Sequence, residues 1–129
     1  MTDTGTTARI TGIHTVGVPV TDQDKALEFY IGTLGLTTRM DVPMGGGARW
    51  IEVVAEGAPT SIALIQAKES VPAGGETGVR FVTDSADAFH ARLQAAGADL
   101  DDVLRWPGVP AMFAFRDQDG NGLEIVQQA

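Results

Sequence analysis

Asp117-Gln118-Asp119-Gly120-Asn121-Gly122-Leu123-Glu124-Ile125-Val126-Gln127 is the stretch from which the fold of this chain is read. It opens with a polar, Gly-rich turn that cannot continue a helix, and Asn121-Gly122 is a hairpin signal. The strand that follows sets one acid, Glu124, among apolar neighbours. A near copy lies 61 residues earlier, where Ile62-Ala63-Leu64-Ile65-Gln66 aligns with Leu123-Glu124-Ile125-Val126-Gln127 and alanine replaces the acid. An internal copy in a short chain calls for a search for the whole repeating unit.

Working outward, Val20-Thr21-Asp22 recurs as Val82-Thr83-Asp84 at a spacing of 62, with Ala26 matching Ala88 and Gly35 matching Gly97. Leu27 and Ile31 correspond to Phe89 and Leu93, so both copies keep one apolar helical stripe. In the first copy the pattern predicts a β-branched strand over 10–20, with Pro19 marking an edge or strand end. Thr21 or Asp22 then caps a helix that Gly35 closes with a left-handed residue. Strands follow at 37–42, 49–55 and 60–67. In the second copy a strand at 78–83 precedes a helix at 86–96 and strands at 101–104, 111–116 and 123–127. Each half is a βαβββ unit. The expected architecture is α+β: two such modules, about 10–67 and 77–127, joined by the linker 68–76, in one domain spanning 10–129. Two modules can curl together with helices outside and a cleft between their sheets, where a ligand would sit. Gly45-Gly46-Gly47 has no helix after it, so it is a turn or flexible lid and not a phosphate loop.

Composition narrows the function classes. The chain has 129 residues, 43% of them apolar, enough for one core. It has no cysteine, which removes disulfides, thiol nucleophiles and thiolate metal sites. Seventeen acids against nine Lys and Arg give a net charge of −8, with no basic run, so nucleic acid and anionic membrane surfaces are not expected partners. No apolar run is long enough to span a bilayer. Met1–Arg9 is Thr-rich and is read as a flexible lead-in, with the cytoplasm as the default compartment.

The doubled βαβββ unit, Thr15-Val16-Gly17-Val18-Pro19-Val20-Thr21-Asp22, Glu28-Phe29-Tyr30 up to Leu34-Gly35, and Asp117-Gln118-Asp119-Gly120 before Leu123-Glu124 together resemble the vicinal oxygen chelate superfamily. That group includes glyoxalase I, bleomycin-resistance proteins, extradiol dioxygenases and methylmalonyl-CoA epimerase. The resemblance implies a fold that hosts many chemistries and some pure binders. Metal-dependent members hold a divalent cation with four His or Glu side chains; carried across, those positions fall on Thr15, Ala63, Gly78 and Glu124. Only Glu124 is a usable ligand. Shifting the register by one brings in His14 or Thr77 without restoring a set. The resemblance therefore implies a metal-free small-molecule binder of the resistance type, with no cofactor. The alternative is a lyase, isomerase or dioxygenase with a displaced divalent metal, or with Glu124 as its acid–base residue.

The candidate ligand-binding residues are Thr15, Ala63, Gly78, Arg80, Trp106, Glu124 and Trp50, and Glu124 is the best catalytic candidate. Glu124 either contacts ligand or pairs with a neighbour. Arg80, on the same face as Gly78, either holds an anion or neutralises Glu124. Trp50 is read as sheet packing or as a cleft wall, and Glu52 shares its face. Trp106, in the loop 105–110, is placed to stack on a ligand. His14 is expected to pack against a helix and His90 to sit solvated beside Phe89. Small residues at Thr15, Ala63 and Gly78 would enlarge a pocket for an aromatic or cationic molecule. A homodimer is expected, because exposed sheet edges need cover.

Overall fold

The computed structural model describes residues 7–128, so the part of the expected lead-in before Thr7 lies outside the described residues. Its strands are β1 (Thr15–Val20), β2 (Thr37–Gly45), β3 (Ala48–Val54), β4 (Ser61–Gln66), β5 (Glu76–Thr83), β6 (Asp99–Leu100), β7 (Met112–Arg116) and β8 (Gly122–Gln127). They form two four-stranded sheets ordered β1-β4-β3-β2 and β5-β8-β7-β6, one from each half of the chain. The parallel pairs β1/β4 and β5/β8 repeat the same connection twice, and β1 and β5 end up as sheet edges, as Pro19 required. The fold is α+β and made of two βαβββ modules.

In the first half the helix α1 (Gln23–Leu27) starts at Asp22, whose carboxylate accepts the backbone N–H groups of Asp24 and Lys25. It then widens into a π-helical segment, Glu28–Thr33, where the Leu34 N–H reaches back to the Phe29 carbonyl at 2.9 Å. Gly35, at φ +83°, closes it. The second helix, α2 (Ala86–Ala95), is capped by Ser85 and closed by Gly97.

One core joins the halves. The inner face of the first sheet (Val18, Ile51, Val53, Leu64) and that of the second (Phe113, Phe115, Leu123, Ile125) belong to a single buried cluster with Tyr30, Leu34 and Leu93 from the helical segments. Phe29 stacks on Phe115 at 6.3 Å, and the buried Tyr30 hydroxyl donates to Asp117 at 2.7 Å. The helices thus pack inward against both sheets. The expected cleft between the two halves is present, but it lies on the helix-packed side of the sheets, because the aromatic side chains of the first helical stripe bury against the other half.

Other expectations shift at the ends of elements. The first strand begins at Thr15 and not at Ile10, since its partner β4 begins only at Ser61; Ile10 and Ile13 are exposed. The strand expected at 101–104 shrinks to Asp99–Leu100 plus a lone Leu104–Met112 bridge. Asn121-Gly122 is not the hairpin turn. The turn runs from Asp117 to Asn121 with Gly120 left-handed at φ +79°, and the Asn121 side chain ties to the Pro19 carbonyl and the Gly74 N–H. Gly45, Gly46 and Gly47 all have positive φ and form the tight β2–β3 turn.

Candidate ligand-binding site

Strand register sorts the candidate residues onto two outer faces. Thr15 pairs with Ser61, Gly17 with Ala63, and Ala63 with Glu52, so Thr15, Ala63, Glu52 and Trp50 lie on the face of the first sheet turned away from the core. Met40 and Val42, opposite Glu52 and Trp50, extend that face. Arg80 pairs with Glu124, and Glu124 with Ala114, placing Gly78, Arg80 and Glu124 on the corresponding face of the second sheet. Trp106 stands in the exposed 105–110 loop. The seven residues are therefore not gathered into one cleft within a single chain; Gly78 and Arg80 border the cavity between the halves, and the other five do not.

The outer face of the first sheet is built around Glu52. This acid is only 2% exposed, and burial without partners would be costly. It has four. Arg39 donates to Oε1 from Nε at 3.0 Å and from its terminal nitrogen at 2.7 Å, Trp50 Nε1 donates to Oε2 at 2.8 Å, Ser61 Oγ donates to Oε1 at 3.0 Å, and His14 Nε2 lies 3.3 Å from Oε2. The Trp50 hydrogen bond, with those of Arg39 and Ser61 and despite burial, lowers its pKa to about 2. The acid is thus a fixed, neutralised anchor. Arg39 reaches it because it follows Thr38, the partner of Val53, and is the extra residue of a β-bulge where the β2–β3 pairing shifts before Met40. Continued from the Thr38–Val53 pair, alternation itself brings Arg39 to the face of Glu52, and the bulge lets Met40 share that partner; sequence reading assigns no faces to the 37–42 strand and so does not connect them. The one available signal was that an acid between Ile51 and Val53 needs a cation, and Arg39 is the cation on the adjoining strand.

His14 corrects another expectation. It precedes β1, its side chain is 72% exposed, and it leans on Glu52 instead of packing against a helix. His90, expected to be solvated, packs edge-on against Phe113 at 5.0 Å with its Nε2 2.9 Å from the Asp101 carbonyl. On the second sheet Arg80 Nε meets Glu124 Oε1 at 2.6 Å, so the two charges neutralise each other.

The four positions at which metal-dependent relatives place ligands do not fit a cation in this chain. Thr15 spends its hydroxyl on the Ser61 carbonyl and side chain. Ala63 has no donor atom. Gly78 sits at φ +77° where the β5–β8 pairing slips, a conformation unfavourable for a side chain bearing a ligand. Glu124 is held by Arg80. Among the described residues no group of three or more His, Cys, Asp or Glu is arranged to hold a metal ion.

Paired βαβββ modules that present polar-anchored aromatics on sheet faces define a class of cleft-bearing small domains. Comparison with known proteins places the chain within it: residues 12–125 match the model of the Glyoxalase/Bleomycin resistance protein/Dioxygenase superfamily, and the chain belongs to that family. It is 30% identical over 114 residues to the uncharacterized protein YetH of Bacillus subtilis (strain 168), covering 84% of this chain and 92% of that protein. Among solved structures it is similar to TnmS3, an antibiotic binding protein from Streptomyces sp. CB03234, at 35% identity and a TM-score of 0.85, covering 95% of this chain and all of that one. A glyoxalase/bleomycin resistance protein from the same Streptomyces is 36% identical with a TM-score of 0.78, over 90% of this chain and 100% of that one.

Proposed function

We propose that this protein binds a small, largely apolar or aromatic molecule without a metal, as a homodimer whose clefts each combine the first-sheet face of one copy with the second-sheet face of the other. The observation that carries the reading is the Glu52 network: a buried acid, fully partnered, whose Trp50 bond holds an indole rigid on a sheet face. A rigid aromatic wall contributes contact area at little cost in conformational entropy. The likeness to an antibiotic-binding protein at 35% identity supports the same reading. The dimer is supported by the unpaired edges of β1 and β5 and by apolar side chains left exposed on both outer faces, among them Met40, Val42 and Val82. A cytoplasmic location is kept as part of the proposal on the sequence alone; no helix among the described residues is long and apolar enough to cross a membrane.

The test is a thermal-shift screen of planar aromatic compounds on protein purified without chelator, with metal analysis of the same sample. The expected result is stabilisation by at least one compound, lost in Trp50→Ala, with no effect of EDTA on melting. Stoichiometric zinc, nickel, manganese or iron, or a screen without a single shift, overturns the reading.

A further inference from the structure

A cavity in the structure lies on the core side of the sheets. It holds about 610 Å³ and opens between the halves, walled by inner-face side chains that include Val16, Val53, Ile62, Val79, Phe81 and Ile125. The repeat shows why it is there. Where the end of β1 meets the β7–β8 turn, three polar contacts close the seam. Tyr30 donates to Asp117 at 2.7 Å, Asn121 to the Pro19 carbonyl at 2.9 Å, and the Thr21 N–H to Asp119 at 3.0 Å. The spacings of 62 for helix and strand and 61 for the turn carry these pairs to Arg92 with Glu56, Thr60 with Phe81, and Ala58 with Thr83. There the contacts are not made. Arg92 lies over the Phe89 ring at 5.4 Å, and the Thr60 hydroxyl donates to the Ile13 carbonyl. Phe29 and Tyr30, which fill the closed seam, become Ala91 and Arg92. Glu56, Ala58, Thr60, Phe81 and Thr83 line the open cavity, whereas the equivalent place beside Asp117 keeps a hollow of only about 220 Å³.

We propose that this open seam is a second binding site, for an uncharged, predominantly apolar small molecule carrying a hydroxyl group. The volume falls in the range of small-molecule pockets, and an apolar-walled space holds such a ligand better than it holds water. The hydroxyl oxygens of Thr60, Thr77 and Thr83 line the cavity, and since each hydroxyl already donates within the chain they offer lone pairs to a ligand hydroxyl. An anion finds no free cation there, because Arg80 is already paired with Glu124 and Glu56 would repel it. The site lies on the core side of both sheets, so a second copy docked on the outer faces leaves it in place, and it stands or falls independently of the outer-face site.

The probe is the uncharged fluorophore N-phenyl-1-naphthylamine, titrated into the intact protein. Saturable binding is expected with a one-per-chain component that is weakened at least tenfold by Ala58→Trp and by Leu36→Trp, which fill the cavity, and that persists in Trp50→Ala, which removes only binding at the outer face. Absence of saturable binding overturns the proposal. So does wild-type binding by both filling variants, loss of all binding in Trp50→Ala, or binding that falls as the protein is concentrated, which would show a second copy covering the seam. Methyl NMR on the wild-type protein gives a reading that needs no variant. Probe-induced shifts at Val16, Leu36, Ile62 and Val79 are expected, and shifts confined to Met40 and Val42 would overturn the site.

Discussion

Glu52 shows how one side chain can organise a face without doing chemistry on it. Its carboxylate is out of water, yet Arg39, Trp50, Ser61 and His14 take up its lone pairs, so it stays charged and immobile. A carboxylate whose folded pKa is depressed stabilises the folded state above its unfolded pKa and loses that contribution as the pH falls through the folded value. For Glu52 the window runs from the ordinary glutamate range down to about 2. Glu52→Gln should cost about 2–3 kcal/mol at pH 7, since Arg39 then faces a neutral amide. It should also flatten the fall in stability between about pH 4 and 2. Urea melts of both proteins across that range check the claim, and parallel profiles would show that the network is not what titrates. Glu124 is the contrasting acid. Half exposed and paired with Arg80, it behaves as a surface ion pair, worth about 1 kcal/mol or less.

At the scale of elements, the helical segments do more than cover a sheet. The π-helical widening after Leu27 carries Phe29 and Tyr30, and both reach the other half of the molecule. Burial, followed by the neighbouring Asp117 carboxylate, pushes the Tyr30 phenol far above its usual range, so it remains a hydrogen-bond donor. Tyr30→Phe should cost about 1–2 kcal/mol in chemical denaturation, because Asp117 loses one donor but keeps Asn121 and two backbone N–H groups. Gly35 ends the same segment at φ +83°, and a Cβ there would come within 2.8 Å of the Arg92 guanidinium. Gly35→Ala should therefore cost about 1–2 kcal/mol through backbone strain, with Arg92 swinging aside. Gly32→Ala, where a Cβ meets nothing within 4 Å, is the control, and equal losses at the two sites would refute the argument.

For the whole molecule, the two sheets turn their apolar faces to one core and their mixed faces outward, so the proposed dimer gives each chain two half-sites. If two copies complete them, Val42→Lys, a charge on an exposed face position 44% accessible in the single chain, should convert the dimer to a monomer in sedimentation while leaving the fold intact; an unchanged sedimentation coefficient would place the interface elsewhere. The repeat, the βαβββ order, the capping by Asp22 and the closure at Gly35 and Gly97 were legible from residues alone. They depend on local periodicity, turn chemistry and residue type, which a chain carries without folding. The attachment of Arg39 to Glu52, the helices packing inward, the division of the candidate residues between two outer faces, and the seam closed at Asp117 but open at Glu56 were decided only by the tertiary structure. Each turns on where a bulge shifts register or on which residues, distant in sequence, come to share a core, and such pairings depend on the packing of the whole chain instead of any one segment of it.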